Sequence, residues 1–281
     1  MPGEQIDIDV WPGKDEGIYL FCFARPHALP SPKPRGLDDR HSVSQWVVDD
    51  VMAVVSTVSL EEFCGPLAEG RMKDLSWIGP RTCRHEEVIE QLVRHTPVLP
   101  ARFGTIFSSL KQLGRLVNMH RDTISRFLDR TMGKDEWSVK GIMDTSQAKE
   151  KVLSAALSRD AERLAALSPG MRYFQEQRIR SGVDREQQAW LRAACGEIWK
   201  DLKSRASDCC ERRVLSHNPP GMDGDMVLNW AFLMARDSVE DFRACVDQLR
   251  LKYAEQGLSF HLSGPWPPYS FCPPLEMAEY R

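Results

Sequence analysis

Cys83 and His85 are the residues whose types and spacing come closest to a metal site in this 281-residue chain. A tetrahedral site needs further ligands and a shell that orients them. No CxxC pair or second Cys/His cluster supplies these. A buried cysteine, beside a histidine that caps or pairs with Glu86, needs fewer assumptions. Glu61-Glu62 and Glu86-Glu87 are adjacent carboxylates, and neighbours on a helix point in different directions. They read as solvated faces, not an acid/base pair. His261 falls on the polar side of a strand, without the partner that a general base requires. Cys209-Cys210 could be a redox or metal pair, although alternating burial along a strand accounts for it more simply. A glycine-rich phosphate cradle is absent. These residues predict no catalytic, cofactor-binding or metal site, and no enzyme.

Arg102 and Phe103 suggest binding instead, because arginine and aromatic side chains dominate interface hot spots. Phe103 is expected to fill a core. Arg102 either pairs with a helix carboxylate or faces a partner, since arginine suits both. The ending GPWPPYSFCPP, residues 264–274, is held extended by its prolines. It could seal a sheet edge with Trp266, Tyr269 and Phe271, or dock on a partner. Trp266 is expected to pack within the chain, with the tail beyond Pro273 free or partner-bound. Arg102, Phe103, Tyr269 and Phe271 are thus the candidate partner-binding residues.

The elements that would position them follow from periodicity. Ile18 to Phe23 is apolar on both strand faces, as in a central strand. Pro26, Pro30, Pro32 and Pro34 mark a loop. Trp46 to Val58 reads as a hairpin or one bent strand. A helix bearing Val88, Ile89, Leu92 and Val93 ends before Pro97, and Gly79-Pro80 is expected to break its N-terminal part. Val98-Leu99-Pro100 is extended. Ser109 and Gln112 fit a capping box that opens a helix ending near Gly133.

In the second half, Trp137 and Val139 mark a strand. A helical region at about 146–206 is interrupted at Ser168-Pro169-Gly170. A weak strand near Arg212 to Ser216 and a loop at Asn218 to Gly221 follow. Met226 to Ala235, apolar on both faces, reads as a central strand. Ser238 and Asp241 suggest another capping box, and Leu258 to Leu262 a last strand. The fold class predicted is α+β in two domains: residues 1–132 with a small sheet, and 133–281 as a ferredoxin-like βαββαβ domain with an elaborated helical crossover and a C-terminal tail.

Composition narrows the partners. With 42% hydrophobic and 27% charged residues the chain reads as a soluble globular protein. Its net charge of −3 gives no bulk attraction to nucleic acid or an anionic membrane. No apolar run is long enough to span a bilayer. An acidic start without a secretory signal predicts a cytoplasmic address, and eight scattered cysteines are expected to be reduced thiols.

Several motifs occur in a telling order: His85-Glu86, Pro97 to Thr105, Glu136-Trp137-Ser138-Val139-Lys140, Ser168-Pro169-Gly170 through Tyr173 and Arg178, and Gly264 to Phe271. Together they resemble the gas vesicle assembly proteins of the GvpL/GvpF type. The resemblance implies two α/β-type domains, the second ferredoxin-like. It implies a non-enzymatic accessory protein without cofactor, associated with gas vesicles; the chain is expected to be monomeric when free. Its expected partners are the hydrophobic shell protein and other gas vesicle accessory proteins, with subunits kept competent or the shell nucleated. Two rival readings remain beside it. One is an RNA-binding ferredoxin-like protein, although the basic-aromatic strand motif is missing. The other is a thiol- or metal-dependent enzyme using Cys83 or Cys209-Cys210.

Overall fold

The computed structural model describes residues 5–6, 12–29, 34–38, 40–66, 68–214 and 224–276. The chain divides into two compact units, Met1–Asp135 with Trp266–Arg281, and Glu136–Pro265. The fold is mixed α+β with two sheets.

The first unit contains β1 (Gln5–Ile6), β2 (Glu16–Ala24), β3 (Ser44–Val48), β4 (Val51–Ser59), α1 (Leu60–Cys64), α2 (Ala68–Arg71), α3 (Leu75–Val93), β5 (Val98–Pro100), β6 (Ile106–Phe107) and α4 (Leu110–Thr131). Its sheet runs β1-β3-β4-β2-β5, with β6 also on β2. The small sheet expected from the sequence is thus six-stranded. β1, β5 and β6 are only two or three residues long, too short to display a period of two.

β2 is buried from Gly17 to Ala24 because both its faces are covered. A bulge between Leu20 and Cys22 reverses the alternation. Ile18, Leu20 and Phe23 therefore share the core with Leu113, Val117, Ile124 and Phe127 of α4. Tyr19, Phe21 and Cys22 join the other core with Phe63 of α1 and Val88, Ile89 and Leu92 of α3. Trp46 to Val58 is a hairpin, closed by a two-residue Asp49-Asp50 loop in which Asp49 adopts φ 54°. Aspartate is among the residues that tolerate this region. Arg25, just past β2, pairs with Asp50 of that loop and with Asp129 of α4.

Gly79-Pro80 does not break α3, contrary to expectation; the helix runs unbroken from Leu75, capped by the Asp74 carboxylate on the Ser76 N–H. Pro80 lies in the second turn, where its missing N–H costs one backbone bond. Arg81 and Thr82 add side-chain bonds to the carbonyls of Trp77 and Ile78. At α4 the Ser109 hydroxyl accepts from the Gln112 N–H. The Gln112 side chain reaches back to the Ser108 N–H, one residue beyond the pattern expected.

The second unit comprises β7 (Lys134–Met143), α5 (Thr145–Arg159), α6 (Ala161–Ala165), α7 (Pro169–Lys203), β8 (Asp208–Glu211), β9 (Asp225–Ala235), α8 (Val239–Tyr253) and β10 (Leu258–Trp266). Its sheet order is β10-β7-β9-β8. Trp137, Val139, Leu228, Phe232 and Phe260 pack with Ala194, Ile198 and Leu202 of α7 and Phe242, Val246 and Leu249 of α8. Pro169 opens α7, where its fixed φ suits a first helical turn and its missing donor costs nothing.

Two local expectations change. The weak strand lies at Asp208–Glu211, not Arg212 to Ser216, because its register is set by pairing with Trp230 to Leu233 of β9. The end of the strand expected there and the Asn218 to Gly221 loop fall within residues 215–223, which lie outside the described residues. Ser238 makes no cap bond, since a 3-10 turn at Arg236–Ser238 runs straight into α8 and its hydroxyl turns to Asp237.

The tail departs from its expected grouping with the second domain. Phe271, Cys272 and Leu275 pack against the α4-side core of the first unit. Trp266, expected to pack inward, keeps 44% of its surface exposed; Pro267 and Pro268 are the buried rings instead.

Candidate functional site

The stretch from Val98 to Phe107 is held by β2 at both ends. β5 pairs with Cys22 to Ala24, and β6 with Ile18 and Tyr19, both antiparallel. Between them residues 101–105 bulge off the sheet. The bulge is tied down by the Ala101 N–H on the Phe21 carbonyl (2.9 Å) and the Leu20 N–H on the Thr105 carbonyl (2.9 Å). Within it, the Thr105 N–H and hydroxyl both donate to the Arg102 carbonyl, at 3.1 and 2.7 Å.

A buried polar chain sits beneath this bulge. The Gly104 N–H donates to the Tyr19 hydroxyl at 3.2 Å, and that hydroxyl lies 2.8 Å from His85 Nδ1. His85 Nε2 meets the Ala101 carbonyl at 3.2 Å. A carbonyl only accepts, so Nε2 carries the proton and a neutral ring accepts the Tyr19 O–H at Nδ1. Every member is then satisfied, which a buried network requires. Burial holds the His85 imidazole down at about 4, and raises the Tyr19 phenol above its ordinary range. His85 thus pairs with Tyr19, 66 residues away, and not with Glu86 as expected. Cys83, expected to be buried, is exposed because it sits on the outer side of α3.

This chain directs the neighbouring side chains. Gly104 has φ 84°, a left-handed conformation that glycine adopts without strain. It lets Phe103 turn inward, its ring 6.1 Å from Tyr19 and 5.9 Å from His85. A Cβ on Gly104 would meet nothing within 4 Å, so Gly104→Ala should lose only the conformational preference. We expect about 1 kcal/mol of destabilisation in urea unfolding, with Gly104→Asn milder. A loss several times larger would mean that the bulge itself had collapsed.

Arg102 points outward and is exposed, with no carboxylate paired to it among the described residues. It lines a cleft of about 590 Å³ in the first unit with Leu99, Thr105, Phe107, Leu116 and Tyr269. Tyr269 donates to Glu86 at 2.8 Å. Burial raises the Glu86 carboxyl; the Tyr269 bond opposes this, and Glu90 adds to it. Of the four residues proposed from sequence, the cleft brings together Arg102 and Tyr269. Phe103 belongs to the Tyr19-His85 cluster, and Phe271 packs on the opposite core while its carbonyl accepts from Arg130 at 3.0 Å. Sequence reasoning missed Tyr19 and read Glu86 as part of a solvated face, whereas Glu86 is half-buried and accepts from Tyr269; neither has a local signal linking it to the bulge or the tail.

The thiols offer little chemistry. Burial raises the pKa of both Cys209 and Cys210 above its ordinary value, disfavouring the nucleophilic thiolate. Among the described residues no three His, Cys, Asp or Glu side chains cluster as metal ligands, and no helix is long and apolar enough to cross a membrane.

Residues 17–273, almost the whole chain, match the family model described as gas vesicle synthesis protein GvpL/GvpF. The chain belongs to the GvpL/GvpF family. It is 29% identical over 269 residues to gas vesicle protein L of a Streptomyces species (strain CB03234), covering 90% of this chain and 92% of that one. It is 23% identical over 260 residues to gas vesicle protein F of Dolichospermum flosaquae, covering 91% and 97%. Among solved structures, GvpF from Anabaena sp. PCC7120 superposes with a TM-score of 0.64 at 20% identity, covering 95% of this chain and all of that chain. GvpF from Microcystis aeruginosa gives 0.61 at 18% identity, covering 92% and 99%. At such identities the structural matches establish the GvpL/GvpF fold alone.

Proposed function

We propose that the protein is a non-enzymatic assembly factor that binds the hydrophobic gas vesicle shell protein and other vesicle accessory proteins. The observation that carries this reading is the family match over residues 17–273. A shell subunit rich in apolar surface and unpaired strand edges aggregates unless covered before assembly. A transient binder would keep it competent or help nucleate the shell. We place the contact at the cleft of Arg102 and Tyr269, where an exposed guanidinium borders apolar walls. Arg102, Tyr269 and their neighbours Phe103 and Phe271 remain our candidates for the binding region. We assign the protein to the cytoplasm, associated with gas vesicles and monomeric when free.

We read the second unit as ferredoxin-like: the element order β7, helices, β8, β9, α8, β10 and the sheet order β10-β7-β9-β8 fit that pattern, with α5 to α7 elaborating the first crossover. RNA recognition fits less well, because β9 is buried from Leu228 to Met234 and offers bases no aromatic platform.

Co-expression with the cognate shell protein, followed by affinity capture at low and high salt, tests the reading. Capture should survive high salt, as apolar contacts do, and Arg102→Glu should weaken it severalfold. Failure to capture demonstrably soluble shell protein at either salt concentration would reject direct binding.

A further inference from the structure

The outer face of α7 carries a pattern that the cleft does not use. At 3.6 residues per turn, Met171, Phe174, Arg178, Arg185 and Arg192 fall on one stripe. All five are exposed, Phe174 at 70%. The buried side of the helix, with Val183, Gln187 and Ala194, lies opposite. There α5 is joined to it by Lys149–Asp184 and Arg159–Glu186.

Exposed arginines alone mean little, but these three lack the compensation found nearby. Arg172 pairs with Glu176, Arg163 with Asp160 and Arg205 with Asp201. Three and four residues to either side of Arg178, Arg185 and Arg192 there is no carboxylate. Among the described residues none of the three forms an ion pair. Gly182 and Gly196 lie along the same side, and a Cβ on either would meet nothing within 4 Å. Arginines thus recur at seven-residue intervals, about 10 Å apart, with open space between them and an apolar end.

We propose that this stripe docks an acidic amphipathic helix of a partner protein. Its carboxylates recur every seven residues along Arg178, Arg185 and Arg192, and its apolar end covers Met171 and Phe174. Such a helix is complementary in charge at matched spacing, and a seven-residue repeat keeps two helices in register side by side. Arginine also binds carboxylate in a two-point fork. A phosphate backbone would meet the same guanidinium groups, but it would leave the apolar end uncovered and be opposed by the net charge of −3. The inference does not depend on shell-protein binding at the cleft.

The test uses the full chain and two labelled synthetic helical peptides of four heptads, one with Glu at every seventh position and a Leu pair at one end, the other with Lys replacing Glu. Fluorescence anisotropy should show the acidic peptide bound. Binding should weaken at least about tenfold in the Arg178→Glu/Arg185→Glu/Arg192→Glu variant and severalfold in Phe174→Ser. The lysine peptide should prefer the charge-reversed variant, which also shows that this variant is folded. The proposal fails if neither peptide binds, or if the acidic peptide binds wild type and reversed variant alike. It fails too if a single-stranded thymidine oligonucleotide binds tighter than the acidic peptide, which would assign the stripe to nucleic acid. Shell-protein capture, measured separately on the same variant, distinguishes failure here from failure at the cleft.

Discussion

Lowering the pH from 7 to 4 should remove about 3 kcal/mol of unfolding free energy through His85 alone. Burial depresses the folded imidazole from 6.5 to about 4. Between those values the unfolded chain binds the proton and the folded chain does not. Stability is therefore fully present above about 6.5 and falls as the pH drops towards 4. Protonation would also put a donor at Nδ1 and so leave the buried Tyr19 O–H without its acceptor. Glu86, whose folded pKa is raised by burial, acts with the opposite sign in the same region, so the wild-type slope is a sum. Comparing wild type with His85→Gln by urea unfolding at each pH isolates the histidine. The two proteins should differ most at pH 7 and converge by about 3 kcal/mol at pH 4. Parallel slopes would show that the His85 network does not carry the acid sensitivity.

Ending the chain after Pro268 should destabilise the first unit by about 3 kcal/mol and leave the second largely unchanged. The truncation removes the Tyr269 bond to Glu86, the Phe271 carbonyl that accepts from Arg130, and the packing of Phe271, Cys272 and Leu275 on the α4-side core. Half-buried apolar side chains and a pair of hydrogen bonds together have about this magnitude. Hydrogen exchange reads the location of the loss. Amides of β2 and β5 should exchange faster, while those of β7 and β9 keep their protection. Faster exchange confined to β7 and β9 would place the tail with the second unit instead.

Much of the scaffold was legible in the sequence because its signals are local. Ile18 to Phe23 and Met226 to Ala235 announce central strands by having no polar face. Ser109 and Gln112 mark a helix start, and Ser168-Pro169-Gly170 a helix boundary, through chemistry confined to a few neighbouring residues. Ser238 shows where such a signal misleads: its spacing to Asp241 fits a capping box, but the preceding 3-10 turn removes the geometry that the box requires. Gly79-Pro80 misleads similarly: α3 runs through it at the loss of one backbone bond, with the Asp74 cap and the side-chain bonds of Arg81 and Thr82 to preceding carbonyls supporting that end of the helix.

By itself, then, the sequence determined the alternation of elements, the family and the landmarks around Pro97 to Thr105. Tertiary structure alone decided what those landmarks do. Tyr19 and His85 are 66 residues apart and Glu86 and Tyr269 are 183 apart. No periodicity spans such separations; only pairing β2 with β5 and β6, and laying the tail on the first core, brings those atoms within hydrogen-bonding distance. The same holds for Arg102 and Phe103, adjacent in the chain yet sent to opposite environments by the bulge and the left-handed Gly104.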